Sequence, residues 1–373
     1  MAKKHTFINL SIKILKFIAV IFIFVLTIKL LSTGINLLGE DSGKNLLRDT
    51  TNPVIGLFIG ILATAVIQSS STTTSMIVAL VTEGLPISFA IPMIMGANIG
   101  TSVTSSIVAF GHLSKKKEYR RAVAAATVHD FFNILVVILI FPLEYFFGIL
   151  SIPSIYIAEQ LSFSGNISSF SLLDSTIKPV GKLITKYSDF FPSEQAHAVF
   201  ILILSAILLV LSLKGLTYVF KGTVSSDLKN NSRVNLFKNS TTSLLWGFGL
   251  TALVQSSSVT SSLIVPLVAK KKTSLAKAFP FLMGANLGTT ITAFLAALSA
   301  SARFEIAITI ALAHILFNLF GIFIFFPFKF MRNIPLLLAK KLGMLSYENR
   351  LVGIVYVSIA FFILPFAMYL VSK

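Results

Sequence analysis

The chain has 373 residues, 55% of them apolar and only 12% charged, with 34 Phe against 14 Asp plus Glu; a soluble globule carries about twice that charged fraction. Cysteine is absent, which excludes disulfides, thiolate nucleophiles and cysteine metal sites. The formal charge of +17 comes from short basic clusters set between long apolar stretches, so it points to loops flanking membrane spans and not to a nucleic-acid partner. The expected fold class is an all-α integral membrane protein that passes several times through the lipid bilayer, in the inner (plasma) membrane of its cell.

The first apolar stretch, 17–38, follows Lys3, Lys4, Lys13 and Lys16 and is long enough to cross the hydrocarbon layer. It is too long for a signal-peptide core and contains Lys29, so it is an uncleaved span in which Lys29 snorkels or pairs. Residues 53–83 differ in kind. Their centre is the polar run Gln68, Ser69, Ser70, Ser71, Thr72, Thr73, Thr74, Ser75, which leaves on each side apolar limbs of about half a crossing. A broken helix facing lipid would leave backbone groups unpaired, so this stretch is expected to be a re-entrant hairpin buried in protein or beside a water-filled cavity. Full spans follow at 86–111 and 122–147. Residues 148–195, mixed in charge and rich in Ser, are expected to form an external connector with one short surface helix. A span at 196–213 leads to a second interrupted stretch, 241–268, centred on Gln255, Ser256, Ser257, Ser258, Thr260, Ser261 and Ser262. Spans at 278–300 and 306–328 precede a final apolar segment, 351–371, which is either a last crossing or a surface-lying partner of 334–345.

The two interrupted stretches are copies. Thr64–Val81 laid on Thr251–Val268 without gaps gives 12 identities in 18 positions, with Gln-Ser-Ser-Ser intact. Downstream, Met95-Gly96-Ala97-Asn98-Ile99-Gly100-Thr101 recurs as Met283-Gly284-Ala285-Asn286-Leu287-Gly288-Thr289. His129 and Asn133 recur as His314 and Asn318. The offsets of 187, 188 and 185 keep both order and spacing, as a duplicated unit requires. The division is therefore 1–147 for the first repeat, 148–195 for the connector, 196–328 for the second repeat and 329–373 for a C-terminal segment.

The basic loops orient the copies. Lys115, Lys116, Lys117, Arg120 and Arg121 form one cluster, Lys214, Lys221, Lys229, Arg233 and Lys238 a second, and Lys270, Lys271, Lys272 and Lys277 a third that closes the second hairpin. Placing all three in the cytoplasm brings the first hairpin in from outside and the second from inside, with Ser164 external. Two inverted-topology repeats with broken helices are the pattern of an alternating-access carrier whose site lies at the repeat interface.

Hydroxyls and amides both donate and accept, so the two polar clusters suit either an oxyanion or a hard cation. Half-helix N-termini favour the anion and the opposing carbonyl ends favour the cation. The Gly-Ala-Asn-x-Gly-Thr segments, with Asn98 and Thr101 in one and Asn286 and Thr289 in the other, are expected to be second breaks, with close helix packing as an additional role. The candidate segments carry no Arg or Lys, so bound cations are expected to compensate an anion. His129 and Asp130 lie well inside a span and serve either coupling or structure; Asp130 has Ile315 as its counterpart, which argues against a proton carried alike by both halves. No His-x-x-x-His pair and no Ser-His-Asp arrangement supports an enzyme.

The Gln-Ser-Ser-Ser hairpins, Gly-Ala-Asn-Ile-Gly-Thr-Ser-Val-Thr at 96–104 and Ala-Thr-Val-His-Asp-Phe-Phe-Asn at 126–133 resemble the type II sodium-dependent phosphate cotransporters, including their bacterial members. The likeness covers most of 50–328, in two copies. It implies a symporter importing inorganic phosphate with Na+ as coupling ion and no further cofactor. Carried over by motif, the phosphate and sodium sites fall on Gln68–Thr73 and Gln255–Thr260, adjoined by Asn98, Thr101, Asn286 and Thr289, with His129, Asp130, Asn133, His314 and Asn318 in coupling or structural roles. Val259 stands where the first copy has Thr72, so the halves are not equivalent. The alternatives are the same fold with another small oxyanion or organic anion, or with a different coupling cation. A separate regulatory protein is left open.

Overall fold

A computed structural model describes residues 2–37, 52–163, 171–188, 191, 193–230, 236–300 and 303–371, and every regular element among them is helical. Seven helical stretches are long and apolar enough to cross a membrane: Leu15–Leu37, Ile87–Phe110, Lys116–Phe147, Glu194–Gly215, Leu275–Leu298, Phe304–Phe325 and Leu351–Val371. Each coincides with an expected span, because length and hydropathy are the properties on which such spans are recognised.

The first copy contains α1 (Ala2–Leu37), α2 (Pro53–Ile67), α3 (Ser70–Thr82), α4 (Ile87–Gly100), α5 (Val103–Phe110) and α6 (Lys116–Phe147). The second contains α9 (Glu194–Asn230), α10 (Ser240–Val254), α11 (Ser257–Ala269), α12 (Leu275–Leu298) and α13 (Phe304–Phe325). Local sequence starts the first limbs of both interrupted stretches in the same way. Asn52 Oδ1 accepts from Val54 N at 3.0 Å, with Pro53 in the first turn, and Asn239 Oδ1 accepts from Thr242 N at 2.7 Å.

Packing repeats with the copies exchanged. α2 lies along α4 as α10 lies along α12, while α1 packs against α9. The second limbs reach across: α3 packs on α12, and α11 packs on α5 and α6. Close approach explains the glycines. A Cβ on Gly60 would collide with the Met93 carbonyl, and its counterpart on Gly247 with the Phe281 carbonyl. A Cβ on Gly100 would lie 2.7 Å from Ile61 O, and one on Gly288 would lie 2.6 Å from Thr251 Cβ. Only backbone fits at these crossings, which is how membrane helices gain contact where lipid offers no hydrophobic drive.

The connector holds more structure than expected, with two helices where one was anticipated: α7 (Ser151–Phe163) and α8 (Ser171–Ser188). Gly148, left-handed at φ 61°, ends α6, and Glu144 Oε2 accepts from the Leu150 and Ser151 amides at 2.6 and 3.2 Å, which folds the chain back. α7 then packs on α13, and α8 packs on α1 and α9. Ser164 and Arg233 lie outside the described residues.

Beyond the copies, α14 (Lys329–Glu348) packs along α6. Gly343 sits with its would-be Cβ 2.5 Å from Arg120 O, and the buried Tyr119 hydroxyl donates to Arg350 O at 3.1 Å. The last candidate span consists of α15 (Leu351–Ser358), a π-helical turn at Ile359–Ile363 and α16 (Leu364–Val371). It is the least buried of the seven.

Candidate functional site

Both interrupted stretches break at their glutamine. Gln68 and Gln255 adopt left-handed backbone conformations at φ 58° and 57°, and each amide still donates to the carbonyl of the threonine four residues back, Thr64 or Thr251, at 2.7 Å. The next residue is extended and caps the following helix: Ser69 Oγ accepts from Thr72 N at 3.2 Å, and Ser256 Oγ accepts from Val259 N at 3.3 Å. A left-handed non-glycine residue is strained, and the same strain at two equivalent positions marks both breaks as built features.

The breaks meet. Ser70 Oγ and Ser257 Oγ are 3.1 Å apart, Ser71 Oγ donates to Gln255 O at 3.0 Å, and Ser258 Oγ donates to Gln68 O at 3.3 Å. The last two bonds are the same bond with the copies exchanged. Thr73 Oγ1 and Thr260 Oγ1 each donate back to the carbonyl four residues earlier, at 3.1 and 2.9 Å, so those hydroxyls serve their own helices.

A second crossed set lies behind the first. In the assigned amide orientations His129 Nε2 donates to Asn286 Oδ1 at 2.5 Å, and Asn98 Nδ2 donates to His314 Nε2 at 3.1 Å. Each asparagine thus meets the histidine of the other copy. Asn133 ties the set together, accepting from Asn286 Nδ2 at 2.6 Å and donating to Asn98 O at 2.7 Å, whereas Asn318 donates only to its own helix at His314 O, 3.0 Å away. All six side chains are buried. Neither Asp130 oxygen has a partner of good hydrogen-bond geometry, although the Ser102 and Tyr356 side chains lie close enough to interact.

The expected second break is corrected in the second copy and reduced to a two-residue interruption in the first. α12 runs unbroken through Gly284, Asn286, Gly288 and Thr289. In the first copy only Thr101 and Ser102 leave the regular ladder, and both keep right-handed helical dihedrals. Thr101 Oγ1 and Thr289 Oγ1 bond back to Ala97 O and Ala285 O at 2.9 and 3.1 Å, so neither threonine is turned outward. These glycines are used for helix contact, and the packing role that was secondary becomes their main one.

A cavity of about 400 Å³ opens at the meeting of the breaks, lined by Gln68, Ser69, Thr72, Thr104, Gln255, Ser256 and Ser258 and closed on one side by Val210, Leu213, Lys214 and Tyr218 of α9. Lys214 corrects two expectations. It is part of a helix that continues to Asn230, not of a loop, and it brings a cation to a cavity whose polar segments have none. Three further residues went unmarked in the sequence. Thr292 Oγ1 donates to Gln255 Oε1 at 2.6 Å, and the Thr64 and Thr251 hydroxyls, equivalent in the two copies, are buried without a partner among the described residues. Thr292 stands one turn beyond Thr289, a spacing that becomes informative only once the facing element is known. Two orphaned hydroxyls at the carbonyl ends of α2 and α10 are suitable oxygen ligands for a hard cation.

A family model described as Na+/Pi-cotransporter matches residues 23–148 and 208–372. The human sodium-dependent phosphate transport protein 2B is 30% identical over an alignment covering 94% of this chain and 64% of that protein. The mouse protein 2A is 30% identical over 97% of the chain and 68% of its own length, and the sheep protein 2A is 32% identical over 95% and 67%. The chain therefore spans about two thirds of the length of these relatives. No solved structure matches it. The family match takes in both breaks, both asparagine–histidine contacts and the cavity between them, and on it the chain belongs to the Na+/Pi-cotransporter family.

Proposed function

We propose that the chain is a sodium-coupled symporter that imports inorganic phosphate across the inner (plasma) membrane by alternating access. The observation that carries this reading is the junction of two left-handed glutamine breaks, bonded across the copies, at a polar cavity. The names of the relatives, sodium-dependent phosphate transport proteins, supply the substrate and the ion.

In this reading the two copies insert in opposite senses and α2–α3 and α10–α11 are re-entrant hairpins. Phosphate binds among Gln68, Ser69, Thr72, Ser256 and Ser258, facing the N-terminal ends of α3 and α11, where helix dipoles and hydroxyl donors favour an anion. Lys214 adds one full positive charge at the wall. A single lysine does not balance a phosphate carrying between one and two negative charges, and Na+ supplies the remainder. Its ligands are the carbonyl ends of α2 and α10 together with the Thr64 and Thr251 hydroxyls. Thr73, Thr260, Thr101 and Thr289, whose hydroxyls are engaged with their own helices, support the site without touching the ligand.

Uptake of labelled phosphate into proteoliposomes, with and without an inward Na+ gradient, tests the function. Strong stimulation by Na+ is expected, and equal uptake in choline would reject the coupling. Because the chain has no cysteine, single cysteines at Glu159 and Lys271 report the topology: an impermeant thiol reagent applied from outside is expected to label the first and spare the second. Labelling of both from the same side would end the inverted arrangement.

A further inference from the structure

A larger cavity lies away from the polar junction. It measures about 730 Å³, within the size range of ligand pockets, and shares no lining residue with the cavity between the breaks. Six cationic side chains line it: Arg120, Arg121, Lys271, Lys272, Lys277 and Lys340. No acidic residue does, and among the described residues none of the six forms an ion pair. Like charges gathered in one concavity repel one another and focus a positive potential, an arrangement that a bound polyanion relieves.

Four elements supply the charges: the start of α6, the loop between α11 and α12, the first turn of α12, and α14. The loop is held in shape. Arg121 Nε donates to Ala269 O at 2.7 Å, and Lys271 is left-handed at φ 57°. Ser274 caps α12 at the pocket wall, and the Thr273 hydroxyl beside it is buried without a partner. Phe237, Val268, Leu275 and Met344 form an apolar side.

We propose that this pocket binds an anion bearing two or more phosphoryl groups, in a role separate from the transported ion. One phosphoryl group carries a charge of about −1.5 to −2, so several are needed to approach neutrality against six cations. The volume, equal to roughly two dozen waters, also far exceeds the needs of one orthophosphate. A soluble polyphosphorylated molecule and an anionic lipid headgroup share this chemistry. Either would bridge the loop that closes the second interrupted stretch to α6 and α14.

The test is calorimetric titration of the full chain with sodium tripolyphosphate, at matched ionic strength, in nanodiscs of phosphatidylcholine alone or of phosphatidylcholine with cardiolipin, a lipid whose headgroup carries two phosphates. Saturable binding is expected in the neutral discs, with orthophosphate about tenfold weaker or worse. The triple variant Lys271→Gln, Lys272→Gln, Lys340→Gln should lose at least about tenfold in affinity, while the same three positions changed to Arg should retain it. Lys329→Gln with Lys341→Gln, which removes exposed charge outside the pocket, should leave binding within about twofold. Loss of the titration in cardiolipin discs would identify the headgroup as the occupant, and its persistence a soluble one. Absence of saturable binding in the neutral discs, equal losses in the triple and control variants, or equal affinity for orthophosphate would each overturn the proposal. Because none of these readouts is transport, the result is independent of the phosphate-uptake reading.

Discussion

The two glutamines that break the paired interrupted stretches have the same backbone conformation and different surroundings. Gln255 is buried, and its side-chain carbonyl accepts from Thr292 at 2.6 Å. Gln68 is exposed, lines the cavity and makes no side-chain hydrogen bond among the described residues. The residue that corresponds to Thr292 is Thr104, whose hydroxyl is buried and has no partner among the described residues. The same pair of residues is thus closed in one copy and open in the other. The difference follows the interruption at Thr101 and Ser102, just before Thr104, which α12 lacks; the interruption lies against Asp130, and the second copy has Ile315 there. Duplication supplied one set of polar groups twice, and the divergence left one set to satisfy the fold and the other facing the cavity.

Breaking what the copies share should have the largest effect. Gly60→Ala and Gly247→Ala both place a methyl group against a facing backbone carbonyl. Alanine gains about 1 kcal/mol in helix propensity over glycine, but overpacking against backbone costs about 1–3 kcal/mol or more and decides the sign. Both variants should lower the melting temperature and the yield of folded protein, and to a similar extent. A clear disparity in melting temperature would show that the two crossings are not equivalent.

The glutamines sharpen the comparison. Gln255→Ala removes the short bond from Thr292 and leaves that buried hydroxyl only Ser71 Oγ at 3.4 Å, at a cost of about 1 kcal/mol or more, and should melt earlier. Gln68→Ala removes an exposed side chain and should stay within about 0.5 kcal/mol of the parent while losing phosphate uptake. Equal melting shifts for the two variants would cancel the asymmetry, and normal uptake by Gln68→Ala would remove that residue from the site.

The smallest effect is expected where the copies already differ in sequence. Thr72→Val gives up a 2.8 Å bond to Ser69 Oγ, worth about 1 kcal/mol, and takes one hydroxyl from the cavity wall. Val259→Thr adds a hydroxyl at an exposed position and should be neutral for stability. Phosphate titration of the two variants checks whether the wall is polar on one side by requirement: weaker binding is expected in the first and unchanged binding in the second.

Legibility in the sequence tracked the kind of force involved. Spans answer to length and hydropathy, and all seven were placed within a few residues. The break positions were legible because a run of hydroxyls centred in an apolar stretch has no other economical home. The glycine segments were not, because the same Gly-Ala-Asn-x-Gly-Thr motif permits both an opening and a close crossing, and the choice rests on carbonyls of α2 and α10 that are distant in sequence. Lys214 was hidden for a similar reason. At the end of an apolar run it is indistinguishable from an ordinary loop charge, and only the packing of α9 beside the breaks brings it to the cavity.

The crossed asparagine–histidine contacts have a mechanical consequence. Each half contributes the amide to one contact and the imidazole to the other, so a displacement of one half against the other strains both contacts at once. Sliding the halves past each other releases both, and Asn133, bonded to both asparagine residues, couples the two events. In the alternating-access motion proposed above both contacts break together, which favours an abrupt switch over a graded one. In a double-mutant cycle, Asn98→Ala and Asn286→Ala should be non-additive, with a coupling of about 0.5–3 kcal/mol, because both residues bond Asn133, Asn286 by its side-chain amide and Asn98 by its backbone carbonyl. Simple additivity of the two would make them independent struts and the motion a continuous one.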